Sequence, residues 1–315
     1  MPLTRQSVAA SAAHERAAGR GSRTGTPALL IGGLMVGALV VMAAGANSLT
    51  RARYDQIVTA RDESPPTAPD ARNWLGTDAM GRDLLTRLMH GARLSLEIGI
   101  AAEILAVLIG GAIGAAAGWL GGWADELLMG LTDMALALPV PLLALAVLAA
   151  VPEPEHVAVL RQLPQPGIVL LVLVLGITGW APLARLVRGQ IAAARRSEYG
   201  LAALALGASG LRTLFRHLLP NCLSPLLVLG TLGIAGNILA EAWLSFLGLG
   251  VRAPLPSWGA MIIEGQPYLI LRPWVSLAPG IALAVAVLGF NLLGDGLRDR
   301  FDPRLVGRAV RWGRP

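Results

Sequence analysis

The sequence predicts an all-α membrane protein of six transmembrane helices with both termini on the cytoplasmic side. Three observations carry that expectation: six separated apolar runs, the retreat of charge into the gaps between them, and an arginine bias toward alternate gaps. Of 315 residues, 54% are hydrophobic and 15% charged, against about 25% charged in an ordinary soluble domain. The mean hydropathy of +0.60 has the same origin.

About 20 apolar residues cross the hydrocarbon core as a helix. The runs that qualify are Pro27–Leu49, Leu94–Trp119, Leu127–Val151, Gly167–Ala184, Cys222–Leu247 and Trp274–Leu293. The first has a rival reading as a signal peptide, since Ala44-Gly45-Ala46 offers a small-residue cleavage site. Its length exceeds a cleavable apolar region and a long basic tail precedes it, so an uncleaved anchor is expected. The second and fifth runs contain Glu97, Glu103 and Glu241, and the third contains Asp133; the fourth is free of charge from Ile168 to Trp180. Pro139, Pro141, Pro182 and Pro225 are compatible with membrane helices, in which glycine and proline are commoner than in soluble ones.

Orientation follows from the positive-inside rule. With the N-terminus inside, sixteen arginines lie in the N-tail, the 185–220 loop and the C-tail, while the short outer loops hold only Arg161, Arg252 and Arg272. The 50–93 segment carries seven arginines, nearly neutralised by six acids. The expected organisation is a disordered tail over 1–26, a first span over 27–49, and an extracytoplasmic loop with an interfacial helix over 50–93. A five-helix core over 94–293 includes the 185–220 loop, and a basic tail covers 294–315.

Several function classes fall away. The +6 net charge does not mark a nucleic-acid binder, because the arginines sit between apolar runs as in membrane loops. One cysteine, Cys222, makes no disulfide framework or thiolate metal site. The histidines (His14, His90, His156, His217) lack ligand-like spacing. No nucleophile–base pair stands out, and there is no GxxxxGK[ST] phosphate loop, so any ATP hydrolysis belongs to another chain.

The 185–220 loop is the most informative stretch. Ser197 is placed to cap a short helix through Leu206, and Gly207 suits the left-handed residue that ends one. Ser209 is placed to cap a second helix, in which Leu211, Leu214, Phe215, Leu218 and Leu219 form an apolar stripe opposite Arg212 and Arg216. Such a helix pair is too short and too polar to span. It either rests on the headgroups or serves as a docking handle for a cytoplasmic partner.

The pattern Ala202, Ala203, Gly207, Leu219, Pro220 resembles the EAA loop of binding-protein-dependent ABC importer permeases. Leu201 stands where a glutamate is frequent and Leu204 where a basic residue is common. Six further segments resemble the dipeptide/oligopeptide (and nickel) branch, in order: 76–96, 121–133, 177–190, 241–251, 256–262 and 290–304. The resemblance covers roughly residues 70–305. It implies a permease subunit with a cytoplasmic EAA-type coupling helix between helices 4 and 5. It also implies a second, homologous permease, one or two ATPase subunits and an extracytoplasmic solute-binding protein, in the inner membrane of a bacterium. The chain would bind no cofactor of its own, ATP and Mg being used by the ATPase. The solute would be a di- or oligopeptide, or else nickel or another small solute. An ion-coupled secondary transporter is the rival class, and it leaves the EAA-like loop without a role. The ATPase-coupling residues implied are Glu198, Tyr199, Ala202, Ala203, Leu204, Gly207, Ala208, Ser209 and Arg212.

Acids inside spans are costly unless they face protein or water. Glu97 and Glu241 lie near expected outer ends and Asp133 near an inner one, where pairing or wetting accounts for them. Glu103 lies deeper and, with Asn237 and Glu241, forms the candidate lining of a translocation path. Between 76 and 93, Asp78 is placed as an N-cap and Arg82 as a local partner of Asp83; a docking role for a binding protein accounts for the same residues. Trp119, Trp123, Trp180, Trp243, Trp258 and Trp274 fit an aromatic belt at span ends.

Overall fold

The computed structural model describes residues 25–50, 52–59, 64–151, 157, 159–205 and 209–301. Regular structure among them is helical, apart from two isolated bridges, Ile57–Arg82 and Thr77–Asp83. Helix α1 is Gly25–Ala44 and is followed by the single turn α2, Ala46–Leu49. Next come α3 (Leu84–Leu120), α4 (Gly122–Ala137), α5 (Val140–Ala150), α6 (Pro166–Gly179) and α7 (Ala181–Arg195). The chain continues through α8 (Glu198–Ala205), α9 (Gly210–Thr213), a π-helical turn at Leu214–Leu218, and α10 (Leu219–Phe246). It ends in α11 (Trp258–Gly265) and α12 (Trp274–Phe301).

Among the described residues, four stretches are long and apolar enough to cross a membrane: Pro27–Ala44, α3, Gly210–Phe246 and α12. Two bent pairs, α4 with α5 at 84° and α6 with α7 at 43°, raise the number to six if each pair is one span. Proline makes the first bend. Pro139 pushes Leu138 into an extended conformation (φ −97°, ψ 133°) and ends α4. Pro141 then opens α5, in the first turn, where a missing N–H costs nothing. Pro182 takes the same place in α7.

The expected interfacial helix is not a separate element: α3 starts at Leu84 and runs unbroken for 37 residues, about 55 Å at 1.5 Å per residue. Its N-cap is Asp83, whose side chain accepts from the Thr86 N–H at 2.8 Å, and not Asp78. The sequence reading stopped short because Arg87, His90 and Arg93 depress hydropathy there, yet Arg87 is buried against acids supplied by the tertiary fold.

Contacts fix how the helices run. Gly110, Gly114 and Gly118 of α3 face Trp180, Ala184 and Arg188 in turn, so α3 and α7 run parallel. Helix α10 runs antiparallel to α3, with Ile238 on Gly99 and Gly230 beside Val107. In α12, Gly294 meets Leu232 of α10 and Gly296 meets Leu29 of α1. One end of the bundle therefore carries α8, α9, the π turn, the start of α1 and the end of α12. The other carries residues 64–83 and α11. The core falls into separate clusters, each including α3: Leu88, Ala92 and Leu96 pack with Ile238, Trp258 and Phe290, Ile98 and Ala102 with Leu148, Leu171 and Leu175, and Ala106 with Leu183 and Leu218. Trp258 is thus a core residue, its Nε1 donating to the Leu88 carbonyl at 3.2 Å, and not a member of a lipid-facing belt.

Candidate functional site

Helices α8 and α9 and the π turn form the predicted helical elbow, with its internal details changed. Ser197 Oγ accepts from the Gly200 N–H at 3.4 Å and donates to the Ala194 carbonyl at 2.6 Å, so it joins α7 to α8. Glu198 and Ala202 are exposed on α8; Tyr199, Ala203 and Leu204 belong to the same helix, their side chains lying outside the description. Gly207 and Ala208 fall outside the described residues. Ser209 occupies the N-cap position of α9 but makes no side-chain cap bond; its carbonyl accepts from the Thr213 N–H at 2.9 Å instead. Arg212 is exposed.

The expected single apolar stripe is divided. Leu214 and Leu218 are buried against Leu183, Val187 and Ile191 of α7. Leu211 and Phe215 point outward, 66% and 62% exposed, as does Leu201 at 57%. The buried pair are the first and last residues of the π turn, which adds a residue to the helical repeat just before α10. The elbow therefore keeps one apolar face for its own bundle and shows another to the surroundings.

The elbow is fastened to α3 and α7. Arg195 Nη1 donates to the Trp119 carbonyl at 2.6 Å, and its guanidinium lies 5.1 Å from the centre of the Trp119 ring. The same ring covers Gly210. Above this clasp, a Cβ on Gly110, Gly114 or Gly118 would come within 2.5, 2.3 or 2.8 Å of a backbone oxygen of residues 180, 184 or 188. Glycine at every fourth position lets two membrane helices pack backbone to backbone. The sequence reading missed this seam, although the spacing that announces it is plain in residues 110–118. Ion pairs brace α7 from the other side: Arg188 to Asp125 at 3.0 and 2.5 Å, and Arg185 to Asp133 at 2.5 Å.

The path candidates divide into two places. Glu103 is buried between α3 and α10; Asn237 Nδ2 donates to its Oε2 at 2.9 Å. Glu241 lies nearer the end of α10, fully buried, accepting from Ser245 at 2.7 Å and Ser95 at 3.0 Å. Glu97 is exposed and paired with Arg93 at 2.8 Å.

At the opposite end of α3 an ionic cluster replaces the expected local pairing of Arg82 with Asp83. Arg82 Nε donates to Asp78 at 2.7 Å and its Nη2 to Glu264 at 3.1 Å. Arg87, 1% exposed, also pairs with Asp78 and grips Glu264 through two nitrogens at 2.6 and 3.2 Å. Burial raises the Asp78 pKa, but the Arg82 N–H and the two guanidiniums outweigh it and hold the carboxyl below its ordinary value. The cluster ties the 76–83 turn to α11, 177 residues away from Arg87 in sequence.

Residues 109–307 match the family described as binding-protein-dependent transport system inner membrane component. The chain is 37% identical over 276 residues to the oligopeptide transport system permease protein OppC of Bacillus subtilis, covering 88% of this chain and 85% of that one. It is 39% identical over 263 residues to the di/tripeptide transport system permease protein DppC of Pseudomonas aeruginosa, covering 82% of each. It is 36% identical over 276 residues to the dipeptide transport system permease protein DppC of Alkalihalophilus pseudofirmus, covering 88% and 86%.

Proposed function

The chain belongs to the family of binding-protein-dependent transport system inner membrane components, and from that premise we propose that it is the permease subunit of an ATP-driven peptide importer. Relatives named as dipeptide, tripeptide and oligopeptide permeases support peptides as the solute; nickel or another small solute is the alternative within the same class. Both bent pairs are read as spans, making six, in a bacterial inner membrane. The end that carries the elbow, the start of α1 and the end of α12 faces the cytoplasm, a reading the arginine bias supports.

In this reading a second, homologous permease completes the membrane unit and a solute-binding protein delivers from outside. Two ATPase subunits dock on the elbow and consume ATP and Mg, while this chain binds neither and catalyses no reaction. The observation that carries the proposal is the elbow's construction. It presents Leu201, Leu211 and Phe215 outward for a partner, with Glu198, Ala202, Ser209 and Arg212 around them. It is clasped through Trp119 and Arg195 to the foot of the glycine seam. Movement of the docked ATPase is delivered to α3 and α7 together, which suits a two-state switch of rigid elements. An ion-coupled carrier needs no such handle.

Reconstitution tests the proposal. Liposomes holding this chain, its second permease, the ATPases and the binding protein are expected to accumulate peptide only with ATP. Uptake by the two permeases without ATPase subunits would overturn it.

A further inference from the structure

Resting on the peptide reading above, we propose that Glu103 is the station that receives the cationic ammonium group of the solute, in the groove between α3 and α10. The groove, about 280 Å³, is walled by Ile104, Val107, Leu226, Leu227 and Ile234, and Glu103 is the acid that lines it. The carboxyl group fits only because residue 233 has no side chain: a Cβ there would lie 2.3 Å from the carboxyl carbon.

Glu103 is 6% exposed. Asn237 satisfies Oε2, but Oε1 is buried without a hydrogen-bond partner among the described residues. Four other acids of the spans differ, and Glu126 and Asp295 are exposed. Glu241 has both oxygens filled by serines, and Glu97, Asp125 and Asp133 each hold an arginine. A carboxylate left half-satisfied at this depth is expensive, and a primary ammonium, with three donors and a positive charge, supplies what it lacks. The remaining walls are apolar but for Thr231, whose hydroxyl is donated to the Leu227 carbonyl at 2.7 Å, and they offer little that is specific to the rest of a ligand. That combination suits a solute class whose side chains vary while its amino terminus is constant.

The complete importer in liposomes, with ATP and dialanine as the solute, tests the assignment. Glu103→Gln keeps the shape and a bond to Asn237 but removes the charge. Dialanine uptake per ATP hydrolysed is expected to fall about tenfold, the value of a charge-assisted hydrogen bond, and Glu103→Asp to recover part of it. The second permease and the ATPases are expected to co-purify in wild-type amounts. Uptake per ATP within about twofold of wild type would overturn the proposal. So would loss of the second permease from the purified complex, which assigns Oε1 to a subunit contact, or a parallel fall of uptake and ATP hydrolysis, which marks an assembly defect. A wild-type importer that hydrolyses ATP yet takes up no dialanine removes the peptide premise itself, before any variant is compared, and the proposal falls with it.

Discussion

Replacing Gly114 with alanine puts a methyl group 2.3 Å from the Ala184 carbonyl oxygen, 2.9 Å from Val187 Cβ and 3.0 Å from the Arg188 nitrogen. Two of the three neighbours are backbone atoms of α7, so no side-chain rotation relieves the clash. Relief to ordinary van der Waals contact requires α7 to retreat by about 1 Å, which forfeits a quarter to a half of the dispersion attraction along the seam. The cost is that of overpacking, about 1–3 kcal/mol. For a chain of this size it lowers the melting temperature by about 2–5 °C. Gly111, three residues earlier on the same helix, supplies the control: a Cβ there meets nothing within 4 Å. Gly111→Ala is expected to leave the melting temperature unchanged or raise it, since alanine favours a helix by about 1 kcal/mol over glycine. The assay is thermal unfolding of the two purified variants in the same detergent, followed by circular dichroism. Gly114→Ala melting with the wild type, or Gly111→Ala falling as far as Gly114→Ala, would refute the seam.

Trp119→Ala removes the ring beneath Arg195 and above Gly210 and is expected to lower peptide uptake per ATP severalfold while ATP hydrolysis persists; unchanged coupling in reconstituted liposomes would count against the clasp. Asp78→Asn takes from Arg82 and Arg87 the more deeply buried of the two carboxylates they share, Glu264 remaining; breaking a buried pair outright costs about 3–5 kcal/mol, and a loss below that range is expected, read as a drop in melting temperature at pH 7. Because the folded Asp78 carboxyl is held below its ordinary value, the wild type's advantage over Asp78→Asn is full above about pH 4 and shrinks as pH falls through the depressed value; an advantage independent of pH down to acid unfolding would refute the assignment. Leu211→Cys, in a Cys222→Ala background, is expected to react with an impermeant maleimide in inside-out vesicles and not in intact cells, and labelling of intact cells would reverse the topology.

Local chemistry made part of this molecule legible in advance. The apolar runs marked the long apolar helices because burial in lipid demands length and low charge; Pro139 and Pro182, read only as compatible with membrane helices, stand where two runs bend. The elbow was visible because small residues, caps and a following Leu-Pro are neighbours in sequence. What escaped depended on partners far along the chain. Arg87 looked like an end to the apolar region, and it is part of a helix only because Asp78 and Glu264 close around it. The stripe from Leu211 to Leu219 looked one-sided, and the π turn divided it. Glu103 and Asn237 were named together as path candidates, but that one bonds the other across Gly233 is a fact about two helices, not about either.

Helix α3 has the ionic cluster at one tip and the Trp119 clasp at the other, with no proline and no break between them. In the proposed importer, a docking event outside and a nucleotide event inside would therefore act on the same continuous helix, and news of a loaded carrier arriving at one surface would need no relay of soft joints to reach the opposite one.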